Sequence, residues 1–194
     1  MLAGYEKRKA EYETRIKEWI TKGDLNAYEG LNLRDIRKIL GNEKYPIAEV
    51  PVEAADFFGI EDVTVYSSEA YFIDHVVNHH GELSLDDYIG VVDTLSDFSD
   101  IYISLEYGDP RLIFSQKRDT GYRRASVGLD KETGSMVVYL SYFQPSKNID
   151  EGRKKLEVSS VGGTPLSLPD RTSDALAISR QHDTSYNQTV SSEE

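Results

Sequence analysis

Between residues 101 and 144 the chain alternates short runs of β-branched and aromatic residues with turn signals. The runs read IYISLEY, RLIFSQKR, YRRASVGL and SMVVYLSYF, and they are separated by Gly108-Asp109-Pro110, by Asp119-Thr120-Gly121 and by residues 130–134. Turn residues about every ten positions between such runs predict a four-stranded antiparallel β-meander. Period-two sorting places Leu112, Phe114 and Gln116 on one face of the second run and Arg111, Ile113, Ser115 and Lys117 on the other. In the third run Tyr122, Arg124 and Ser126 oppose Arg123, Ala125 and Val127. In the fourth, Met136, Val138, Leu140 and Tyr142 oppose Val137, Tyr139, Ser141 and Phe143. Both faces are mixed, so the expected sheet is covered by helices on one side and partly open on the other.

The rest of the pattern is mostly helical. Residues 5–20 carry Tyr5, Tyr12, Ile16, Trp19 and Ile20 at helical spacing, and Gly23 ends the segment. A second helix is expected over 32–40, with Leu33, Ile36, Ile39 and Leu40 inward and Gly41 as its stop. Residues 42–61, punctuated by Pro46 and Pro51, predict a connector with a short helix at 52–58. A short strand over 63–66 leads to Ser67 and Ser68 as helix cap and a helix over 70–80 that Gly81 stops. Ser84 caps the next helix, 85–95, whose Leu85, Tyr88, Ile89, Val92 and Leu95 follow the amphipathic rule. The fold class is therefore α+β: N-terminal helices packed on the meander. The division expected is a helical extension over 1–60, an α+β domain over 61–147 and an irregular, mobile tail over 148–194. Within that tail 149–156 offers one more helical segment.

Composition changes this picture in one respect, which is charge. The chain of 194 residues has a net charge of −12, yet Arg111, Lys117, Arg118, Arg123 and Arg124 fall within fourteen residues against the single acid Asp119. Residues 61–100 hold ten acids and no Lys or Arg. Segregated charge lets a positive patch coexist with a negative body. There is no cysteine, which excludes a disulfide framework, thiolate metal sites and a thiol nucleophile. No apolar run reaches the roughly eighteen residues of a membrane span and no signal pattern opens the chain, so the expectation is a soluble, cytoplasmic protein without a membrane partner.

Two chemistries suggest themselves around the histidines. His75 and His79 have the spacing that puts two imidazoles on one helical face, but Val76 stands where a zinc hydrolase needs its glutamate and no third ligand is evident, so no metal or other cofactor is assigned. The alternative is acid/base catalysis. A metal-independent ribonuclease needs a base, an acid and cations for the phosphorane, and His75 with the hairpin's Lys and Arg residues offers those parts. Against it stands the plain alternative that His75 packs on the sheet and the arginines are ordinary solvent-face residues. An open face bearing Tyr122, Tyr139, Arg118 and Arg123 would suit single-stranded RNA.

The succession "VYSSEAYFIDHVVNHHGE", "SLDDYIGVVDTLSDFSDIYIS" and "RLIFSQKR…YRRASVGLD…GSMVVYLSYF" resembles the phage-associated members of the barnase–EndoU–colicin–RelE (BECR) superfamily of RNases. It is also similar to the related C-terminal domains of Mu-type phage head morphogenesis and prophage polyvalent proteins. The likeness covers about residues 62–147. It implies a BECR-like fold and an endoribonuclease that uses the ribose 2′-hydroxyl, with His75 as acid or base. Lys117 with Arg123 or Arg124 would stabilise the phosphorane, and Ser141, where the family often has Thr, would orient the phosphate. The implied partners are RNA, tRNA among them, and an immunity protein or a larger phage protein. Two other functions compete: a catalytically inactive phage structural or accessory module of the same fold, and an acidic antitoxin or nucleic-acid mimic. Catalysis requires His75, Lys117 and an arginine to share one cleft; the accessory module tolerates them apart.

Overall fold

The computed structural model describes residues 2–79, 85–106, 108–145 and 149–159, with the side chains of 2–4 and 140–145 excepted. His80, Gly81, Ser84 and the tail from 160 onward therefore lie outside the described residues. Among those described are five α-helices, α1 (Leu2–Thr21), α2 (Leu33–Leu40), α3 (Val52–Phe58), α4 (Glu69–Asn78) and α5 (Leu85–Ser96). Six strands, β1 (Lys44–Glu49), β2 (Thr64–Ser68), β3 (Asp100–Ser104), β4 (Arg111–Arg118), β5 (Gly121–Asp130) and β6 (Ser135–Pro145), form one mixed sheet in the order β1-β2-β6-β5-β4-β3.

The class is α+β, but the sheet has six strands where four were expected. β3 to β6 pair antiparallel with their neighbours in the chain. β1 arises in what reads as connector because Pro46 hides it. As the outermost strand β1 can hold a proline, which has no N–H to give a ladder. β2 pairs antiparallel with β1 and parallel with β6, the latter only at Val65 with Met136 and Tyr66 with Val137. Beyond that contact the two strands diverge, and α4 starts at the fork.

α5 lies on the face formed by Phe114, Ala125, Val127 and Met136, all fully buried. α1 packs behind it. Tyr12, Ile16 and Trp19, one to two turns apart, are each at most 6% exposed and belong to the same core cluster. The packing thus has no break near residue 60, and Met1–Ser159 forms one compact unit. α2 is capped by Asn32, whose Oδ1 accepts from Asp35 N at 3.0 Å, and is stopped by Gly41 at φ 83°. Its Ile36 is buried, but Ile39, expected inward, is 60% exposed. Eight residues give a helix too little length to bury both rows of its apolar stripe.

The sheet face opposite α5 is not open. Ile113, Ser115, Arg124 and Ser126 are all buried there. Residues 149–159, expected as helix and mobile tail, form an ordered strap. Ile103 N donates to Lys154 O at 2.8 Å and Leu156 N to Ile101 O at 2.9 Å, which pairs the strap with the free edge of β3. Pairing of this kind satisfies an edge that would otherwise expose backbone donors.

Candidate functional site

The fork between β2 and β6 gathers the aromatic side chains. Ser68 has the extended backbone of an N-cap, and α4 sends Tyr71, Phe72 and His75 toward α5 and β6. His75 lines a cavity of about 20 Å³ with Tyr12, Ser67, Tyr71, Tyr88 and Tyr139. That volume suffices for about one water molecule. Tyr12 donates to Ser67 Oγ at 3.1 Å, and the Tyr71 and Tyr139 hydroxyls are 3.4 Å apart. Burial pushes the Tyr88 phenol up to about 12, and it raises Tyr12 and Tyr71 further still. These phenols stay neutral at ordinary pH and act as hydrogen-bond groups, not as bases.

Two guanidiniums bracket the tyrosine pair. Arg37 lies 4.7 Å over the Tyr71 ring and Arg111 lies 4.4 Å over Tyr139, while the two rings meet edge to face at 4.9 Å. Each contact is of the order of 1 kcal/mol. Tyr139 is the extra residue of a bulge in β6, opposite the Ser126–Val127 step, and it fills the space over Gly128 that a Cβ would occupy. Arg37 is held in turn by Asp130 at 2.8 Å and Glu132 at 2.7 Å. His79 stands 3.6 Å from Asp74, and its ring centre is 6.0 Å from that of His75. Among the described residues no three His, Asp or Glu side chains converge as a metal-ligand set.

On the α5 face the organising group is Asp93. Lys9 Nζ lies 2.8 Å from Oδ1, the Tyr5 hydroxyl donates to the same oxygen, and Arg123 and Arg118 approach Oδ2 at 3.6 and 3.7 Å. Gln116 Nε2 donates to Asp97 at 3.1 Å. Arg123 lies across Gly90, where any Cβ would overlap its guanidinium. Asp93 of α5 is therefore the counterion of two hairpin arginines, Arg118 and Arg123.

Arg124 points the other way. Its guanidinium clasps Asp150, with Nη2 to Oδ1 at 2.6 Å, and Arg153 Nε reaches the same carboxylate at 2.9 Å. Asp150 is fully buried and Arg124 is 7% exposed. Arg153 goes on to Ser104 at 3.0 Å and Glu106 at 2.6 Å, so the strap is fastened across the sheet. Lys117 and Tyr122 are cross-strand partners on this same face, with Lys117 exposed.

The residues proposed from sequence thus fall into separate groups. Arg118 and Arg123 lie on the α5 side; Lys117, Tyr122 and Arg124 lie on the strap side, and His75 lines the cavity at the fork. Tyr139 sits at the fork, and the backbone of Ser141 pairs with Ala125, its side chain lying outside the described residues. Alternation along β4 and β5 puts Lys117 and Arg124 on the strap face, where Asp150 clasps Arg124, while His75 lines the cavity beside α5 and β6. Arg123 and Arg124, expected as phosphate ligands, are each engaged by a carboxylate. Sequence reasoning missed Tyr71, Arg37, Asp93 and Asp150. Asp93 had a signal, since Asp86, Gly90, Asp93 and Asp97 fall on one side of α5. Asp150 had none.

The carboxylates set an acid response. Burial works to raise both Asp93 and Asp130, but hydrogen bonds and nearby cations outweigh it. Lys9 and Tyr5 hold Asp93 below its ordinary value, and Thr133 and Arg37 do the same for Asp130. A depressed folded pKa contributes stability that is complete above the unfolded value of about 4 and is lost as pH falls through the folded one. Thermal melts between about pH 6 and pH 2 are expected to show a falling Tm below about pH 4, with a shallower fall in Asp130→Asn. An equally steep fall in that variant would remove Asp130 from the account.

No protein-family model, characterised protein or solved structure shows significant similarity to this chain.

Proposed function

We propose that this chain is a non-cleaving module on an RNase-like α+β scaffold, of the kind carried by phage structural or accessory proteins. One observation carries the reading: Arg124 is taken up by the fully buried Asp150 on the strap face, while His75 lines the small aromatic cavity beside α5 and β6. Transesterification at a ribose 2′-hydroxyl requires base, acid and cation within hydrogen-bond reach of one phosphate, about 2.6–3.2 Å. A guanidinium clasped by a buried carboxylate does not offer its charge to a phosphate. Further support comes from the His75 cavity, whose volume of about 20 Å³ is far below that of a nucleotide.

A nucleic-acid mimic needs free carboxylates in one patch, and several acids of 61–100 already have partners. Glu69 meets Lys22, Asp74 meets His79, Asp93 meets Lys9 and two arginines, and Asp100 meets Lys155. The partner expected for an accessory module is a larger phage protein.

The test is incubation of total RNA and of tRNA in EDTA with the wild-type protein and with His75→Ala. Intact RNA in both lanes is expected. A 2′,3′-cyclic phosphate product that forms with the wild type and is lost in His75→Ala would overturn the reading in favour of an RNase.

A further inference from the structure

We propose that the groove between the C-terminal half of α1, the start of β1 and the first residue of α4 binds an alkylammonium cation. The groove has a volume of about 380 Å³, within the range of small-molecule sites. Trp19 and Tyr45 provide aromatic walls, and Arg15, Lys22, Glu43 and Glu69 supply the charge.

The polar groups define what fits. Glu69 lies at the bottom with its side chain 11% exposed, and Lys22 Nζ spans both carboxylate oxygens at 3.2 and 3.3 Å. Lys22 itself is 66% exposed. The protein thus places its own primary ammonium on a mostly buried carboxylate, through a side chain that reaches in from solvent. Lys22 makes this contact from a largely exposed side chain, so a second ammonium can reach the same carboxylate from solvent. Glu43, exposed at the rim, has no ion-pair partner among the described residues. Arg15 is already committed, 5.6 Å over the Tyr45 ring and 3.1 Å from Glu18. An entering ammonium group therefore meets Glu69 and Glu43, and its aliphatic stem lies along the Trp19 and Tyr45 side chains that line the groove. An anion would face two carboxylates with both cations occupied. The chain's net charge of −12 raises the local concentration of cations in the same direction.

Free polyamines and the lysine side chain of a partner share this chemistry. Trp19 is the only tryptophan, so intrinsic fluorescence reports on the groove directly. The full chain is titrated with spermidine and, separately, with acetyl-Gly-Lys-Gly-amide, against sodium chloride of equal ionic strength and the N-acetyl-lysine peptide. A saturable change that neither control produces is expected. It should weaken about tenfold in Glu43→Gln, a substitution at an exposed position that leaves folding intact, and strengthen about threefold in Lys22→Ala, which removes the resident ammonium. Saturation by spermidine alone assigns a free amine; saturation by the peptide as well assigns a lysine side chain. No saturation beyond the salt control, or binding unchanged in both Glu43→Gln and Lys22→Ala, would overturn the proposal.

Discussion

Asp150→Asn is expected to lower folding stability by about 3–5 kcal/mol, because it takes the charge from a fully buried carboxylate that two arginines grip. Asp150 is fully buried, and it is the carboxylate that both Arg124 and Arg153 grip. Asparagine preserves the shape and one acceptor but removes the charge. Urea unfolding of the two proteins measures the difference as a shift in midpoint at constant slope. A double-mutant cycle separates the pair from its surroundings. Arg124→Leu combined with Asp150→Asn should cost less than the sum of the single changes, since no unpaired charge remains between them. A loss below about 0.5 kcal/mol for Asp150→Asn, the size of an ordinary surface change, would mean that the strap does not hold the sheet face.

The second large effect is expected at Ile16→Ala, at about 2–5 kcal/mol. Ile16 is fully buried in the middle of α1, one turn after Tyr12 and one before Trp19. Deleting its side chain leaves a cavity that Tyr12 and Trp19, already packed against Tyr45 and Phe72, cannot collapse to fill. Ile39→Ala is the matching control. That residue is 60% exposed, and its loss should stay within about 0.5 kcal/mol. Equal and small effects at both positions would make α1 an appendage and not part of the core.

The contrast between these two isoleucines shows how far periodicity carries. Both stand at helical spacing in the sequence, and nothing local distinguishes them. α1 has a long stripe that lies on α5 and β1, whereas α2 is short and leaves one row facing water. The same limit applies to the strands. Alternation along RLIFSQKR and YRRASVGL correctly separates Gln116 and Arg123 from Lys117 and Arg124, because the pleat has a period of two whatever the surroundings. It cannot say which face receives the helices. That choice decided that Arg118 and Arg123 met α5 and that Arg124 met the strap. β1 was missed because Pro46 argues against a strand everywhere except at an edge, and edge status is a property of the whole sheet.

What the sequence determined by itself is the order of the five helices and of β2 to β6, the α+β class, the turns of the β3–β6 region and the acidic and basic segments, all of which rest on local pattern. What only the tertiary structure decided is the partner of each charge. Asp93 finds Lys9, Arg118 and Arg123 from three elements, and Asp150 crosses from the strap to Arg124. Such pairs are set by distance in space, and a charged residue carries no local signal of the partner the fold will bring to it. The basic hairpin, conspicuous in an acidic chain, thus proves to be held by carboxylates that the fold supplies on both of its faces.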